Sequence, residues 1–412
     1  MTETTAPERA DVVIAGGGTV GLVLAIAIRT ADPHARVILA DARPPEAVSR
    51  DDRASAIAAA VRRMLDRLGV WHRVADVAEP ILAMEVTDSR LADRVRPAFL
   101  TFEGQVSPGE PFAHMVPNAD LLAALYQTAR AAGVEIRAPA TVQTFTAGTG
   151  WTRIRFGDGA EVDARLLVAA DGLDSRLRAL AGISTVGHEY DQSAIVTTVA
   201  HEKPHNGVAV QHFLPPGPFA ILPLKGNRSS LVWNETRDTA ARIAALDEFS
   251  FELELERRFG TFLGKVTPVG SRSVFPLQIR VARRFVGPRL ALAGDAAHRV
   301  HPIAGQGLNL GFRDAAALAE VIVEARRLGR DPGSADVLDG YDRWRRVDTL
   351  EMGAATDTLN RLFATDLGGV RAVRDFGLGL VDRLPALKRT FITRAAGLTE
   401  RDQPRLLNGQ AI

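Results

Sequence analysis

The run Val12-Val13-Ile14-Ala15-Gly16-Gly17-Gly18-Thr19-Val20-Gly21, read together with the residues up to Asp41, decides the fold. Val12–Ala15 is short, apolar and β-branched, the pattern of a buried strand. Glycines follow at once, and Leu22–Thr30 then carries a helical run. Arg36–Ala40 is a second buried strand that ends at Asp41. Strand, glycine turn, helix and strand make a βαβ unit, which implies parallel pairing. Gly16, Gly18 and Gly21 form a GxGxxG. Gly16 permits the tight turn, Gly18 lets backbone approach a pyrophosphate, and Gly21 lets the helix pack on the strand. Thr19 and Val20 lead into the helix, whose free N–H groups and positive dipole end would face the phosphates. The motif alone is weak. Its place between strand and helix, with Asp41 twenty residues beyond Gly21 at the next strand end, makes it a dinucleotide fingerprint. Asp41 would accept hydrogen bonds from a ribose diol and would repel a 2′-phosphate.

Outward from this unit, Arg53–Leu68 and Asn118–Ala132 read as helices, and Glu161–Ala170 as a strand running into Asp171-Gly172. From about Ser184 to Arg280 the texture changes to short β-rich segments: Ala194–Ala200, Gly207–Phe213, Phe219–Leu224, Ser229–Trp233 and Val274–Ile279. These predict an inserted antiparallel sheet. Arg289–Ala293 returns to a buried strand, Gln306–Leu328 is a long helix, and Tyr341–Leu398 is helical with a break near Gly368-Gly369. The expected class is α/β. A Rossmann-like dinucleotide-binding domain occupies 1–183 and 281–330, a substrate-binding sheet insert 184–280, and a helical C-terminal region 331–412.

The composition narrows the function. A chain of 412 residues that is 46% hydrophobic can bury a large core and exceeds one ordinary domain. A net charge of +1 gives no ground for nucleic-acid binding. The absence of cysteine excludes disulfides, thiolate metal sites and cysteine nucleophiles, and fits a reducing, cytoplasmic setting. Met1–Ala10 lacks the pattern of a signal peptide, and no uninterrupted apolar run reaches the ~18 residues of a spanning helix. His201, His205 and His212 stand at no metal-ligand spacing, so no metal is expected. Trp233, Phe219 and Phe275 are expected either to line a cavity under the insert or to form ordinary sheet core. Arg383–Arg394 mixes Leu384, Leu387, Phe391 and Ile392 with Arg383, Lys388, Arg389 and Arg394. It reads as amphipathic, resting on an anionic membrane or packed on its own domain.

Two further motifs join the first: Asp171-Gly172, and Gly294-Asp295-Ala296-Ala297-His298 with Pro302 to Gly311. Together the three resemble the class A flavoprotein monooxygenases of the para-hydroxybenzoate hydroxylase fold. Within them the chain is most similar to the ubiquinone-biosynthesis hydroxylases. That closer resemblance is carried by Asp52-Arg53-Ala54, Trp71 after Leu68-Gly69, Phe219 to Leu224, His301 to Gly311, and Tyr341 with Trp344-Arg345-Arg346 and Asp348.

The resemblance implies FAD as cofactor, with NAD(P)H as a transient reductant that has no domain of its own, or another electron donor in its place. It places Gly16, Gly18 and Gly21 on the pyrophosphate, Asp41 on the adenosine ribose, and Arg53 along the FAD. It places Asp171 near the diphosphate and the nicotinamide cofactor, and Asp295 on the ribityl chain or diphosphate. Gly305, Gln306, Gly307, Leu308 and Asn309 would lie against the isoalloxazine. The implied reaction is hydroxylation of a prenylated phenol by O2 through a flavin C4a-hydroperoxide. Two alternatives stand beside it: hydroxylation of a soluble aromatic, and a non-catalytic flavoprotein scaffold. A biosynthetic complex, contact with the inner-membrane surface and self-association are expectations of the same kind. His298, His301 and the adjoining Pro302 are the candidate catalytic residues, either histidine assisting a phenolic proton or serving structure alone. The sequence departs from the family pattern at Asp41, where glutamate is usual, and at Asn118, where many members have arginine.

Overall fold

The computed structural model describes residues 8–44, 51–88, 91, 96, 98, 100–103, 105–214, 217–301, 305–364, 392, 393, 396–398 and 403–412. Pro302 and the break at Gly368-Gly369 lie outside the described residues, as does the basic stretch 383–394 apart from Ile392 and Thr393.

The main elements along the chain are β1 (Glu8–Ala15), α1 (Thr19–Ala31), β2 (Val37–Ala40), β3 (Ala54–Ala58), α2 (Ala59–Arg67), α3 (Asn118–Ala131) and β4 (Glu161–Ala169). Then come β5 (Thr185–His201), β6 (Val208–Leu214), β7 (Gly217–Leu224), β8 (Arg228–Thr236), α4 (Arg237–Ala244) and α5 (Glu248–Phe259). The chain returns through β9 (Ser273–Ala282), β10 (Leu290–Leu292), α6 (Gln306–Arg327) and α7 (Ala335–Ala364). The α/β class stands, with a helical C-terminal region in α7.

In the first sheet β1 is central, with β2 and β4 parallel on either side. The strand Glu135–Arg137 extends the β2 edge. The second half of β4 pairs in parallel with β10, while its first half pairs antiparallel with Thr152–Phe156. The registers set Ala15 against Ala40 and Ala169, and Ala169 against Leu292. Every loop leaving the carboxyl ends of these strands therefore opens on one edge, where ligands of open α/β sheets bind. Helix α1 is buried along Gly21–Ile28, as an all-apolar helix must be. It lies under α6 at close range: a Cβ on Gly311 would come within 2.7 Å of Val20 Cγ2.

The second sheet runs in the order His298–Arg299, β9, β5, β8, β7, β6, Ala83–Asp88, Leu100–Glu103. It recruits strands from both sides of 184–280, and the pair β6 with Ala83–Asp88 is parallel. Helices α4 and α5 cover its back face, burying Ile195, Phe219, Leu231 and Trp233 against Ile243, Phe251 and Phe259. Trp233 and Phe219 thus belong to the core on the far side, not to a cavity lining. The cause is the two-residue alternation of a strand: Val232, Asn234 and Ala220, their neighbours, face forward. On the back face Glu235 accepts from Trp233 Nε1 (2.8 Å) and Arg258 Nε (2.6 Å), tying α5 to β8. Phe275 faces forward, under the guanidinium of Arg53 at 5.0 Å.

The helix expected over Arg53–Leu68 is instead strand β3 followed by α2. Ala54–Ala58 pairs antiparallel with Ala113–Pro117, and an alanine-rich run offers no side-chain preference strong enough to resist that tertiary pairing. Among the described residues, no helix is long and apolar enough to cross a membrane.

Candidate flavin site

The glycine turn is held by backbone. Gly16 N–H donates to Ala40 O (2.7 Å), and Ala170 N–H donates to Ala15 O (2.8 Å). Gly16 takes φ +117, and a Cβ there would sit 2.1 Å from Ala170 O. A Cβ on Gly21 would sit 2.0 Å from Gly16 O. Both positions admit only glycine for reasons internal to the fold. Gly18 is different: its backbone is extended, and a Cβ on it meets nothing within 4 Å. That open space lies at the N-terminus of α1, beside Thr19 and Val20.

Asp41 is buried at the end of β2. Its Oδ2 accepts from Gly17 N–H at 2.6 Å and its Oδ1 from Arg43 N–H at 2.7 Å. Beside it stands the Tyr126 hydroxyl, buried and without a hydrogen-bond partner among the described residues. Burial, and then the Asp41 carboxylate, raise the Tyr126 pKa, so the phenol stays protonated and able to donate. Sequence reasoning missed Tyr126, since nothing in its helical setting marks it. Replacing Asp41 by alanine is expected to weaken FAD binding roughly tenfold to a hundredfold, the worth of hydrogen bonds to a charged acceptor, as read by flavin-fluorescence titration.

The other two motifs meet at the same edge. Asp171 Oδ2 accepts from Leu177 N–H (3.3 Å), at the start of the short helix Arg176–Leu180. Arg178, seven residues beyond Asp171, donates to Ala296 O (2.7 Å) and Leu173 O (2.9 Å). It thereby clamps the Asp171 loop to the Gly294–Ala296 turn. Gly294 takes φ +63 in that turn, Asp295 stands exposed, and the carboxylate also acts on Arg53 through space.

Arg53 pairs with Asp51 through Nε–Oδ1 and Nη2–Oδ2, both 2.7 Å. Asn118 donates to Asp51 Oδ2 (3.1 Å) and accepts from Ser55 Oγ (2.7 Å). The residue that departs from the family pattern thus orients the carboxylate that holds Arg53. Asp51 and Ser55 were missed because their partner lies more than sixty positions away.

Gly305 caps α6 in the left-handed region at φ +65. Gly307 faces open space, Leu308 is half-buried, and Gln306 and Asn309 are buried. The Asn309 side chain accepts from Ala58 N–H (2.9 Å) and donates to Ala56 O (2.8 Å) and Gly305 O (3.0 Å). It locks the α6 N-terminus to β3, so that the positive end of the α6 dipole is held where an electron-rich ring edge would meet it.

The two histidines part company. His298 is buried and bonds Asp314 Oδ2 through Nε2 at 2.6 Å. Asp314 also accepts from Gly294 N–H (3.0 Å) and Arg345 Nε (2.8 Å). His301 is buried as well, yet neither of its ring nitrogens has a partner among the described residues. Burial pushes its pKa down to about 4. His201, His205 and His212 lie within the second sheet's hydrogen bonding, and among the described residues no group of acids and histidines could hold a metal ion.

The cradle fits FAD in three independent ways: open space where a Cβ on Gly18 or Gly307 would stand, a hydroxyl without a partner among the described residues beside Asp41, and the positive dipole end of α6. Comparison with known proteins agrees. The FAD binding domain family matches residues 9–350. The chain is 45% identical to ubiquinone hydroxylase UbiL of Rhodospirillum rubrum over 98% of this chain and 94% of the relative. It is 34% identical to the 3-demethoxyubiquinol 3-hydroxylase of Escherichia coli, over 94% and 98% respectively. In fold it is similar to p-nitrophenol 4-monooxygenase PnpA of Pseudomonas putida, with a TM-score of 0.80, 22% identity, and coverage of 96% of this chain and all of the other.

Proposed function

The chain belongs to the FAD binding domain family, and on that premise we propose that it hydroxylates the ring of a polyprenylated phenol in ubiquinone biosynthesis, with O2 as oxygen source. It is an FAD-dependent monooxygenase. The observation that carries the reading is a convergence. Three motifs far apart in sequence open on one sheet edge, and the second sheet turns its forward face toward them. FAD supplies the oxygen-activating chemistry when bound. Gly16, Gly18 and Gly21 with the α1 N-terminus hold its pyrophosphate, and Asp41 with Tyr126 its adenosine ribose. Asp295 would hold the ribityl chain or the diphosphate, and the α6 N-terminus the ring. Asp171 and Arg53 line the approach, where a nicotinamide reductant would dock. The forward face of the second sheet presents Val196, Val232, Ala220 and Leu222, an apolar surface that suits a lipid-like aromatic.

The reductant under this reading is NADPH or NADH, with another electron donor as the alternative. Anaerobic mixing of the FAD-loaded protein with each is expected to bleach the flavin band, at least tenfold faster when a prenylphenol is present. No bleaching with either, with or without the phenol, would point to another donor. A polyprenylated substrate resides in lipid, so the protein is further expected to work at the inner-membrane surface from the cytoplasmic side. Co-flotation with vesicles containing anionic lipid tests this. Association with other proteins of the pathway, or with itself, belongs to the same reading.

A further inference from the structure

The forward face of the second sheet carries a knot of buried polar side chains with unused hydrogen-bonding capacity. His301 is 0% exposed, and among the described residues both ring nitrogens lack a partner. Its ring stands edge-on to Tyr190, with centroids 5.1 Å apart. Tyr190 Oη donates to Asp357 Oδ1 on α7 at 2.6 Å. One turn further along α7, Asn360 donates to Gln192 Oε1 (3.1 Å), while its own Oδ1 is buried and unpartnered. Gln192, two residues from Tyr190 on β5, lies beside Asn234 of β8: a Cβ on Gly217 would lie 3.1 Å from Gln192 Nε2 and 3.0 Å from Asn234 Cβ. Asn234 Oδ1 is likewise buried and unpartnered. Both asparagines are 3% exposed. Leu277, Val196 and Val232 adjoin the group and give it an apolar floor.

Unmet buried polar atoms are rare and destabilising, so several together in one place call for a partner that the described residues do not provide. Place and chemistry identify the partner. His301 lies four residues before Gly305, which caps the helix end assigned to the flavin ring. We propose that His301, Asn360 and Asn234 form the subsite that grips the oxygen substituents of the aromatic substrate, with His301 accepting the hydrogen bond of the ring hydroxyl. The proposal rests on the aromatic-hydroxylase reading and adds the residues that choose the ring. Burial keeps the imidazole neutral at working pH, so it offers one lone pair and one N–H together. The lone pair takes the hydroxyl proton's hydrogen bond, and the N–H reaches a neighbouring oxygen. The two asparagine carbonyls accept from further hydroxyls. A hydroxyl polarised in this way feeds electron density into the ring that is to be attacked.

The test compares two probes, a phenol carrying one prenyl group and its O-methyl ether, by their perturbation of the flavin spectrum of the FAD-loaded protein. The native protein is expected to bind the phenol roughly tenfold more tightly than the ether, the worth of one buried hydrogen bond. His301→Phe keeps the edge contact with Tyr190 but removes both nitrogens. It is expected to bring the two affinities together while leaving FAD content and ether affinity unchanged. Asn360→Leu is expected to shrink the preference, and it decides the matter if His301→Phe does not retain FAD. An undiminished phenol preference in the FAD-retaining variants would overturn the subsite and leave the hydroxylase reading standing. A flavin spectrum in the native protein that responds to neither probe would overturn both.

Discussion

Replacing Gly18 by alanine is expected to leave the folded protein as stable as before and to reduce its affinity for FAD at least a hundredfold. The two halves of this result have separate causes. Gly18 has φ −73 and ψ 177, a conformation alanine adopts without strain. Its Cβ would touch nothing within 4 Å. The unfolded chain loses freedom on gaining a Cβ, so stability without FAD holds or rises slightly. The space that Cβ would fill is the space assigned to the pyrophosphate, and a steric overlap worth about 3 kcal/mol is a factor of roughly a hundred in affinity. Gly16→Ala makes the contrast, since its Cβ would strike Ala170 O in the empty protein and should destabilise the fold itself. Thermal unfolding without FAD, paired with flavin titration, separates the two cases.

Asp314→Ala is expected to produce the largest loss of stability of any single change near the site, about 3–5 kcal/mol, with loss of bound FAD. Asp314 is fully buried and three donors converge on it: Gly294 N–H, His298 Nε2 and Arg345 Nε. Arg345, itself buried, would keep only Asp348, at 2.5 Å, among the described residues. Asp314→Asn keeps the volume, but its amide turns a donor toward donors, so it recovers little. Flavin binding suffers because the Gly294 N–H fixes the turn that presents Asp295. The same network sets an acid limit. Burial pushes the Asp314 carboxyl up, but His298 and Arg345 more than reverse this, leaving it below its ordinary value of 3.8. Its stabilisation is therefore present above that value and lost as the pH falls through the lower value of the folded state. Denaturant unfolding of both variants, followed by tryptophan fluorescence, checks the order native, Asp314→Asn, Asp314→Ala.

The parts of the site legible in the sequence are those where the backbone dictates residue type. Gly16 and Gly21 sit where a side chain would strike a carbonyl oxygen, and Asp41 ends a strand at a fixed distance from them. Such demands leave a local signature. The second sheet was legible as strands, but not in its facing. Trp233 and Val232 are neighbours in a run of similar hydrophobicity, and only packing against α5 decides which of them turns inward. Asp51 with Asn118, Arg178 with Ala296, and Asp314 with Arg345 left no pattern, because each pair forms only when distant segments meet. The helix read over Arg53–Leu68 failed for a related reason: Ala54–Ala58 takes its conformation from the strand beside it.

The central claim is that this protein uses FAD to place an oxygen atom from O2 on an aromatic ring. The most direct test supplies the FAD-loaded protein with NADPH and a prenylphenol under oxygen gas of the heavy isotope, and weighs the product by mass spectrometry. The account predicts a hydroxylated ring carrying one heavy oxygen atom, absent when FAD is omitted. An unmodified ring with all the oxygen consumed appearing as peroxide, or a hydroxyl bearing oxygen from water, would contradict it.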